Sequence, residues 1–386
     1  MLKFRTIVAL AILITGSLLA GCSWFSHRTQ PDWVNGSSPA YPSEQYLVGV
    51  GQADSRPSAE ERAYGAVSRI FQARVEAEAK DWESFLVLEA RGRADTQRRL
   101  TLDQITRVST DKILENVRVL DAWVNPATRQ HHVLAGMQRA QAGTALTERL
   151  AELDRAIESD LSESRQTTET LTTIRSLRRA IRNLVLREAY NADLRVIRAS
   201  GQGAPSRYRV AELTGALEQF MAAHLLVGVD VQGDQSEPVR RAVIEGLVRE
   251  GLPVTAKPAG SEGTAGRDAG KPLELLVKGT VRLFDVNVPD PRFRYVRWCS
   301  DFVVLEPGTQ HVVGAVSRGG REGHLTQGEA TAKAVRVMQQ EVSSELARTL
   351  AGYVYGDTNL PVNLPPAACP HNGPGDEPPD IHTPPQ

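Results

Sequence analysis

The chain has 386 residues, of which 41% are hydrophobic and 24% charged, and its formal net charge is −1. This is an ordinary globular composition, without the basicity that a nucleic-acid partner would call for. Beyond the first 22 residues no segment is apolar enough to cross a membrane as a helix.

Lys3 and Arg5 make a short basic start, and an apolar run from Ile7 to Ile14 follows, broken at Thr15, Gly16 and Ser17. That run is too short to span a bilayer, which needs ~20 apolar residues, and it has the length of an export signal. Leu19-Ala20-Gly21-Cys22 has the form of a lipobox. Thioether formation needs the thiol, and the peptidase that cuts before it needs small neighbours. Ser23, rather than an aspartate, implies sorting to the outer membrane in lipoproteins of this type. The sequence thus predicts a signal peptide over 1–21 and lipidation at Cys22, with a palmitate-like N-acyl chain besides a diacylglycerol. Each buried methylene contributes ~0.8 kcal/mol, enough for stable anchoring. Cleavage leaves 365 residues and removes Lys3 and Arg5, which takes the net charge to −3. Residues 22–30 are a tether that reaches no more than ~30 Å.

The expected fold class is α+β, in three folded parts. The first, 31–140, is a small α+β domain. Its strand at Tyr46–Gly51 precedes a helix with Ser58 and Glu61 at capping-box spacing and an apolar face of Ala63, Val67, Ile70, Phe71 and Val75. A shorter helix runs from Asp103 to about Leu114, and strands Val117–Val124 and His131–Met137 form a hairpin at Asn125-Pro126-Ala127-Thr128.

The second part, 141–220, is helical. Leu146, Leu150, Leu153, Ile157 and Leu161 make one stripe, and Leu171, Ile174, Leu177, Ile181 and Leu184 another, with a polar break from Ser162 to Thr173. Glu148, Glu152, Asp154, Glu158, Asp160 and Glu163 outweigh Arg149 and Arg155 by four; beyond the break, seven arginines outweigh two acids by five. An αα-hairpin would set these faces against each other, and charge would fix register more than stability.

The third part, 221–356, is an α+β domain with a mainly antiparallel sheet. Strands are expected at Leu225–Val231, Leu273–Phe284, Phe293–Leu305 and His311–Ser317, with a helix from Glu237 to Glu250. A last helix is capped by Thr326 with Glu329, and carries a stripe of Ala334, Met338, Val342, Leu346 and Leu350. Residues 257–271, with four glycines, read as a mobile loop, and the tail 357–386 is proline-rich and expected to be disordered.

Pro31-Asp32-Trp33-Val34, Tyr46-Leu47-Val48-Gly49-Val50-Gly51 and the alanine-rich helix behind a lipobox resemble the LPP-twenty lipoprotein family over roughly 22–140. The resemblance implies an outer-membrane lipoprotein or a flagellar assembly factor, with no known catalysis. By topology the third part is similar to the small α/β domains near the start of Tol-system, curli-export and synthase-activator proteins.

Catalytic chemistry finds little footing. Gly49-Val50-Gly51 lacks the third glycine of a dinucleotide loop and suits close strand–helix packing better. Ser109-Thr110-Asp111-Lys112 fits S-x-x-K without S-D-N or K-T-G, and reads as a solvated helix face. His131 and His132 point to opposite faces of a strand and cannot share a metal. Glu60, Glu61, Glu76 and Glu78 read as helix-surface carboxylates, and Trp33, Trp82, Trp123 and Trp298 as core or rim. No catalytic residue, metal site or cofactor is expected. Cys299 and Cys369 remain as a disulfide pair for an oxidising periplasm, the alternative being two free thiols.

The expected function is a non-catalytic structural or assembly role at the periplasmic face of the outer membrane. The lipid anchor would hold the chain to the membrane, and unidentified envelope proteins would be its partners, with a homo-oligomer left open. The alternative is an activator of a peptidoglycan synthase, or a subunit of an export apparatus. The nine-residue tether weighs against reach across the wall.

Overall fold

The computed structural model describes residues 30–36, 38–83, 85–86, 95–255, 273–286, 292–357 and 368–369. The expected signal peptide, Cys22, nearly all of the tether, the loop 257–271 and most of the tail lie outside them. The fold is α+β, with helices and strands in two sheets.

The chain divides into two compact units. The first holds the described residues up to Ala73 together with Thr110–Ala145 and Asp193–Gln202; the second holds Arg74–Ser109, Leu146–Ala192 and Gly203 onward. These units cut through helices that the sequence would assign whole to one part.

In the first unit, β1 (Tyr46–Ala53), β2 (Arg118–Val124) and β3 (His131–Gln138) form an antiparallel sheet in the order β1-β3-β2. The turn between β2 and β3 falls where expected: Asn125 Oδ1 accepts from the Ala127 and Thr128 amides at 2.9 and 3.3 Å. One sheet face is covered by α1 (Arg56–Glu78). Its buried stripe runs in steps of four, Ala59, Ala63, Val67, Phe71 and Val75, so Ile70 falls off it and is 39% exposed. The helix starts earlier than the capping-box spacing implies. Ser55 Oγ accepts from the Ser58 amide, so Ser55 is the cap and Ser58 sits inside the first turn. Helix α2 (Asp95–Leu114) begins eight residues before the expected start.

Gly49 and Gly51 are the reason α1 lies so close to β1. A Cβ at Gly51 would lie 2.1 Å from the Ala59 carbonyl oxygen, and one at Gly49 2.8 Å from that of Ala63. The paired glycines serve strand–helix packing.

Helices α3 (Arg139–Gln166) and α4 (Thr170–Ile197), which belong to the second unit over Leu146–Ala192, break at 167–169. Arg179 Nε meets Asp160 at 3.0 Å and Arg187 Nε meets Asp154 at 3.1 Å, while Ser176 Oγ donates to Glu163 at 2.8 Å. The opposite charges of the two arms therefore face each other, as their distribution predicts. Arginines left over on α4 turn to the end of the last helix. Arg175 donates to Tyr353 O at 2.8 Å and Arg178 to Tyr355 O at 2.9 Å, favourable positions for cations at a helix C-terminus.

The second sheet runs β4 (Val227–Gly233), β5 (Leu275–Val286), β6 (Arg294–Glu306), β7 (His311–His324). β4 and β5 are parallel and the other pairs antiparallel. Helices α5 (Val210–His224), α6 (Ser236–Arg249) and α7 (Gln327–Tyr355) complete the unit. The Thr326 cap accepts from the Glu329 amide, and the whole expected stripe from Ala334 to Leu350 is buried. Two elements exceed the sequence reading: α5, and the extension of β7 through Arg318–His324.

Candidate functional site: an aromatic cleft in the first unit

The alternation of β1 builds the site. Leu47, Gly49 and Gly51 turn to α1, which leaves Tyr46, Val48 and Val50 on the other face with Leu134 of β3. That face carries its own small core of Trp33, Trp123 and Leu134, with Tyr41, Val48, Val50 and Leu120 packed on it.

Trp33 comes from the 3-10 turn Asp32–Asn35, which opens after Pro31 and closes at Gly36 with φ +95°. Only glycine takes that left-handed conformation without cost, so the turn is set by its two end residues. The Trp33 indole Nε1 donates to Asp121 Oδ2 at 2.8 Å. Tyr41 Oη donates to Leu120 O at 3.1 Å, and its ring meets Tyr46 edge-on with centroids 5.4 Å apart. Burial pushes the Tyr41 phenol above its ordinary pKa, and the Asp121 carboxylate adds to this.

Arg139 closes one end. Its Nε donates to Ser43 O at 2.6 Å, and one terminal nitrogen donates to Val196 O and Ile197 O at 2.7 and 2.8 Å. The guanidinium thus ties the 43–46 segment to the last carbonyls of α4. Burial lowers its pKa, and nearby Glu44 partly offsets this.

Between these groups lies a cleft of about 560 Å³, with Trp33, Pro39, Tyr41, Pro42, Tyr46 and Val48 in its wall. Glu44 and Arg139 are the charged residues of the lining. Apolar and aromatic walls with a few polar groups at the rim make this a candidate binding site. Ser43 and Glu44 are neighbours in that lining, and the exposed Ser43 Oγ donates to Glu44 Oε1 at 3.3 Å.

Each candidate from the sequence has a definite place. Trp33, Trp82, Trp123 and Trp298 are all buried. His131 and His132 do alternate; His132 packs against Trp123 at 5.2 Å, and burial lowers its pKa, favouring the neutral ring. Glu60 and Glu78 pair on the helix surface with Arg56 and Arg74. The reading of 109–112 as a solvated face needs correction: Ser109 and Thr110 are buried, because both fall on the inner side of α2. Among the described residues no three His, Cys, Asp or Glu side chains gather to hold a metal.

Cys299 and Cys369 are joined, with Cα atoms 5.2 Å apart. Asp301 sits beside the junction and accepts from the Ala368 and Cys369 amides at 2.7 and 2.8 Å. Those residues of the tail are thus held in place. Tyr41, Asp121 and Arg139 escaped the sequence reading, because each earns its role through contacts across 79, 88 or 93 positions of chain.

No curated protein matches the chain. Among solved structures, it is similar to a minor lipoprotein of Acinetobacter baumannii (9% identity, TM-score 0.24), over 34% of this chain and 94% of that one. A secreted protein of Helicobacter pylori aligns at 12% identity and TM-score 0.35, over 79% of this chain and 98% of that one. The rare lipoprotein B of Shewanella oneidensis aligns at 12% identity and TM-score 0.18, over 34% and 92%. The family resemblance read from the N-terminal motifs is met by a family model: residues 31–138 match that of the LPP20 lipoprotein.

Proposed function

We propose that this chain is a lipoprotein held to the periplasmic face of the outer membrane through Cys22, and that its role there is non-catalytic. It binds other envelope components and helps to assemble or brace them. The observation that carries this reading is the lipobox, followed within nine residues by a region that matches a lipoprotein family. No described helix is long and apolar enough to cross a membrane.

The cleft beside Trp33 and Tyr41 is the surface assigned to a partner. Its aromatic and proline walls suit an extended apolar segment, and its place just after the tether keeps it near the membrane. The alternative, activation of a peptidoglycan synthase, requires reach through the wall that nine tether residues do not supply.

Two measurements test the proposal. Labelled palmitate should enter the wild-type protein, which should fractionate with outer membrane, whereas Cys22→Ser should do neither. Unchanged fractionation of that variant would defeat the anchor. A photo-crosslinking residue at Tyr41 should trap a discrete envelope protein in cells. A product of twice the chain's mass would point to self-association instead, and turnover of generic ester or glycan substrates would overturn the non-catalytic reading.

A further inference from the structure

The register of β6 and β7 brings together an unusual set of side chains at one end of the second sheet. Arg294 pairs with His324, Tyr295 with Gly323 and Arg297 with Arg321. One step beyond the last pair, the same register sets Phe293 opposite Leu325. Phe293 is 39% and Leu325 64% exposed. A folded chain ordinarily buries such a pair, and here both sit at the tip of a sheet, in the open.

Cations flank them. Arg297 and Arg321 lie directly opposite each other, an arrangement that opposes strand pairing. Among the described residues neither Arg294 nor Arg297 has a carboxylate partner, and Arg321 lies over the Tyr295 ring at 5.3 Å. The nearby described acids have other partners: Asp285, opposite Val296 on β5, accepts from the neutral Gln327 amide. Asp301 holds the Ala368 and Cys369 amides, Glu322 pairs with Lys333, and Glu329 takes His324. Among the described residues, the apolar pair stays exposed and Arg294 and Arg297 have no carboxylate partner.

We propose that this end of the sheet docks on a phospholipid surface carrying anionic headgroups. Phe293 and Leu325 enter the interface, and Arg297 and Arg321, on the same face of the strands, meet the phosphates. A bilayer surface accepts apolar tips and cations side by side, without asking for any pattern of donors and acceptors. Tyr295, held between Arg321 and the bare backbone of Gly323, sits at the level where an amphipathic ring belongs. The contact is separate from the anchor at Cys22 and needs no lipid on the protein.

The test uses the chain from residue 22 with Cys22→Ser, so that no acyl chain contributes. It is sedimented with vesicles of phosphatidylcholine alone, or with about one part in four of phosphatidylglycerol. Binding should require the anionic lipid and fall with added salt. Arg297→Gln with Arg321→Gln should weaken it about tenfold or more, and Phe293→Ser with Leu325→Ser should weaken it at unchanged charge. Arg207→Gln with Arg209→Gln removes equal charge from an exposed site elsewhere and should leave binding intact. Circular dichroism confirms that each variant is folded. The proposal is overturned by absence of binding, by equal binding to neutral vesicles, or by equal loss in the Arg207/Arg209 control. Self-association that the Phe293/Leu325 variant abolishes would also overturn it, assigning the patch to a second copy.

Discussion

Trp33 and Asp121 stand 88 positions apart in the chain and are joined by a 2.8 Å hydrogen bond from indole Nε1 to carboxylate Oδ2. The bond fastens the first turn after the tether to the middle of β2, and so fixes one wall of the cleft. Asp121→Ala should cost about 1–3 kcal/mol, the penalty of leaving a buried donor unpaired. It should also bring the Tyr41 phenol back toward its ordinary pKa, since one of the causes of its shift is gone. Thermal unfolding followed by tryptophan fluorescence, and a spectroscopic tyrosine titration, check the two effects. An unchanged midpoint would remove the clasp from the account.

Gly51 and Gly143 should respond to alanine with opposite signs. At Gly51 the added methyl would lie 2.1 Å from a backbone oxygen of α1, a neighbour that cannot move without shifting the helix. Gly51→Ala should destabilise by at least ~2 kcal/mol. At Gly143, inside α3, the nearest atom to a new Cβ is Ile197 Cγ2 at 3.5 Å, an ordinary contact. There the higher helix propensity of alanine should stabilise by up to ~1 kcal/mol. Urea midpoints of the two variants decide it.

Those contrasting glycines also mark what a sequence can disclose. Gly49 and Gly51 were legible, because paired glycines in an apolar strand have few other uses. The hairpin was legible from charge, and α7 from its cap and stripe. The extension of β7 was not: Ser-Arg-Gly-Gly-Arg-Glu-Gly reads as a loop. It becomes strand because β6 supplies the register, while Trp298 lies against Gly320 and Tyr295 against Gly323, filling the space the glycines leave. Helix α5 was hidden by a glycine at its centre, Gly215, and by Gly201, Gly203 and Pro205 just ahead of it. The cleft was hidden for a further reason. Its walls come from loop residues whose order depends on distant partners, and local pattern carries no record of those.

Arg187 is the most deeply buried cation of the hairpin, 1% exposed, and each of its three nitrogens donates. It meets Asp154 and Glu188 and donates to Ala204 O and Pro205 O at 3.0 and 2.9 Å. Arg187→Met keeps the volume but leaves the Ala204 and Pro205 carbonyls without their donor and the less exposed Glu188 carboxylate without its cation, and should cost about 3 kcal/mol. Arg187→Lys keeps the charge without the fork and should fall between. Denaturant unfolding of both variants would show the order; a methionine variant as stable as wild type would contradict it.

Acid should loosen the junction between α4 and the end of α7. Burial pushes the Asp357 carboxyl upward, but Arg178 at 2.7 Å and Arg182 at 3.0 Å outweigh this and hold it below the usual carboxylate range. A folded-state pKa below the unfolded one adds stability above the unfolded value, and this is lost as pH falls through the folded one. The advantage of wild type over Asp357→Asn should therefore be full at neutral pH and fade in strong acid. Urea midpoints of the pair across that range test the sign; an advantage that grew with acid would reverse the assignment.

The bond between Cys299 and Cys369 closes a loop across 70 positions. On the chain-entropy model a loop of that size contributes about 4 kcal/mol by restricting the unfolded chain, less whatever residual structure that chain keeps. Peptide mapping without reduction should yield a single bridged pair and no free thiol from protein exported to an oxidising compartment. Asp301 bears on how firmly the bond is kept. By holding the Ala368 and Cys369 amides, its carboxylate keeps the second sulfur beside the first even after reduction, which favours reclosure. Asp301→Ala frees that segment, so its bridge should open at a lower dithiothreitol concentration than the wild-type bridge, with little change in the rest of the fold. Cys369→Ser should lose the stability of the loop outright while keeping both amide bonds to Asp301. If two free thiols appear in protein recovered from the periplasm, the bond does not form in the cell. If Asp301→Ala leaves the reduction midpoint where it was, the carboxylate has no part in holding it.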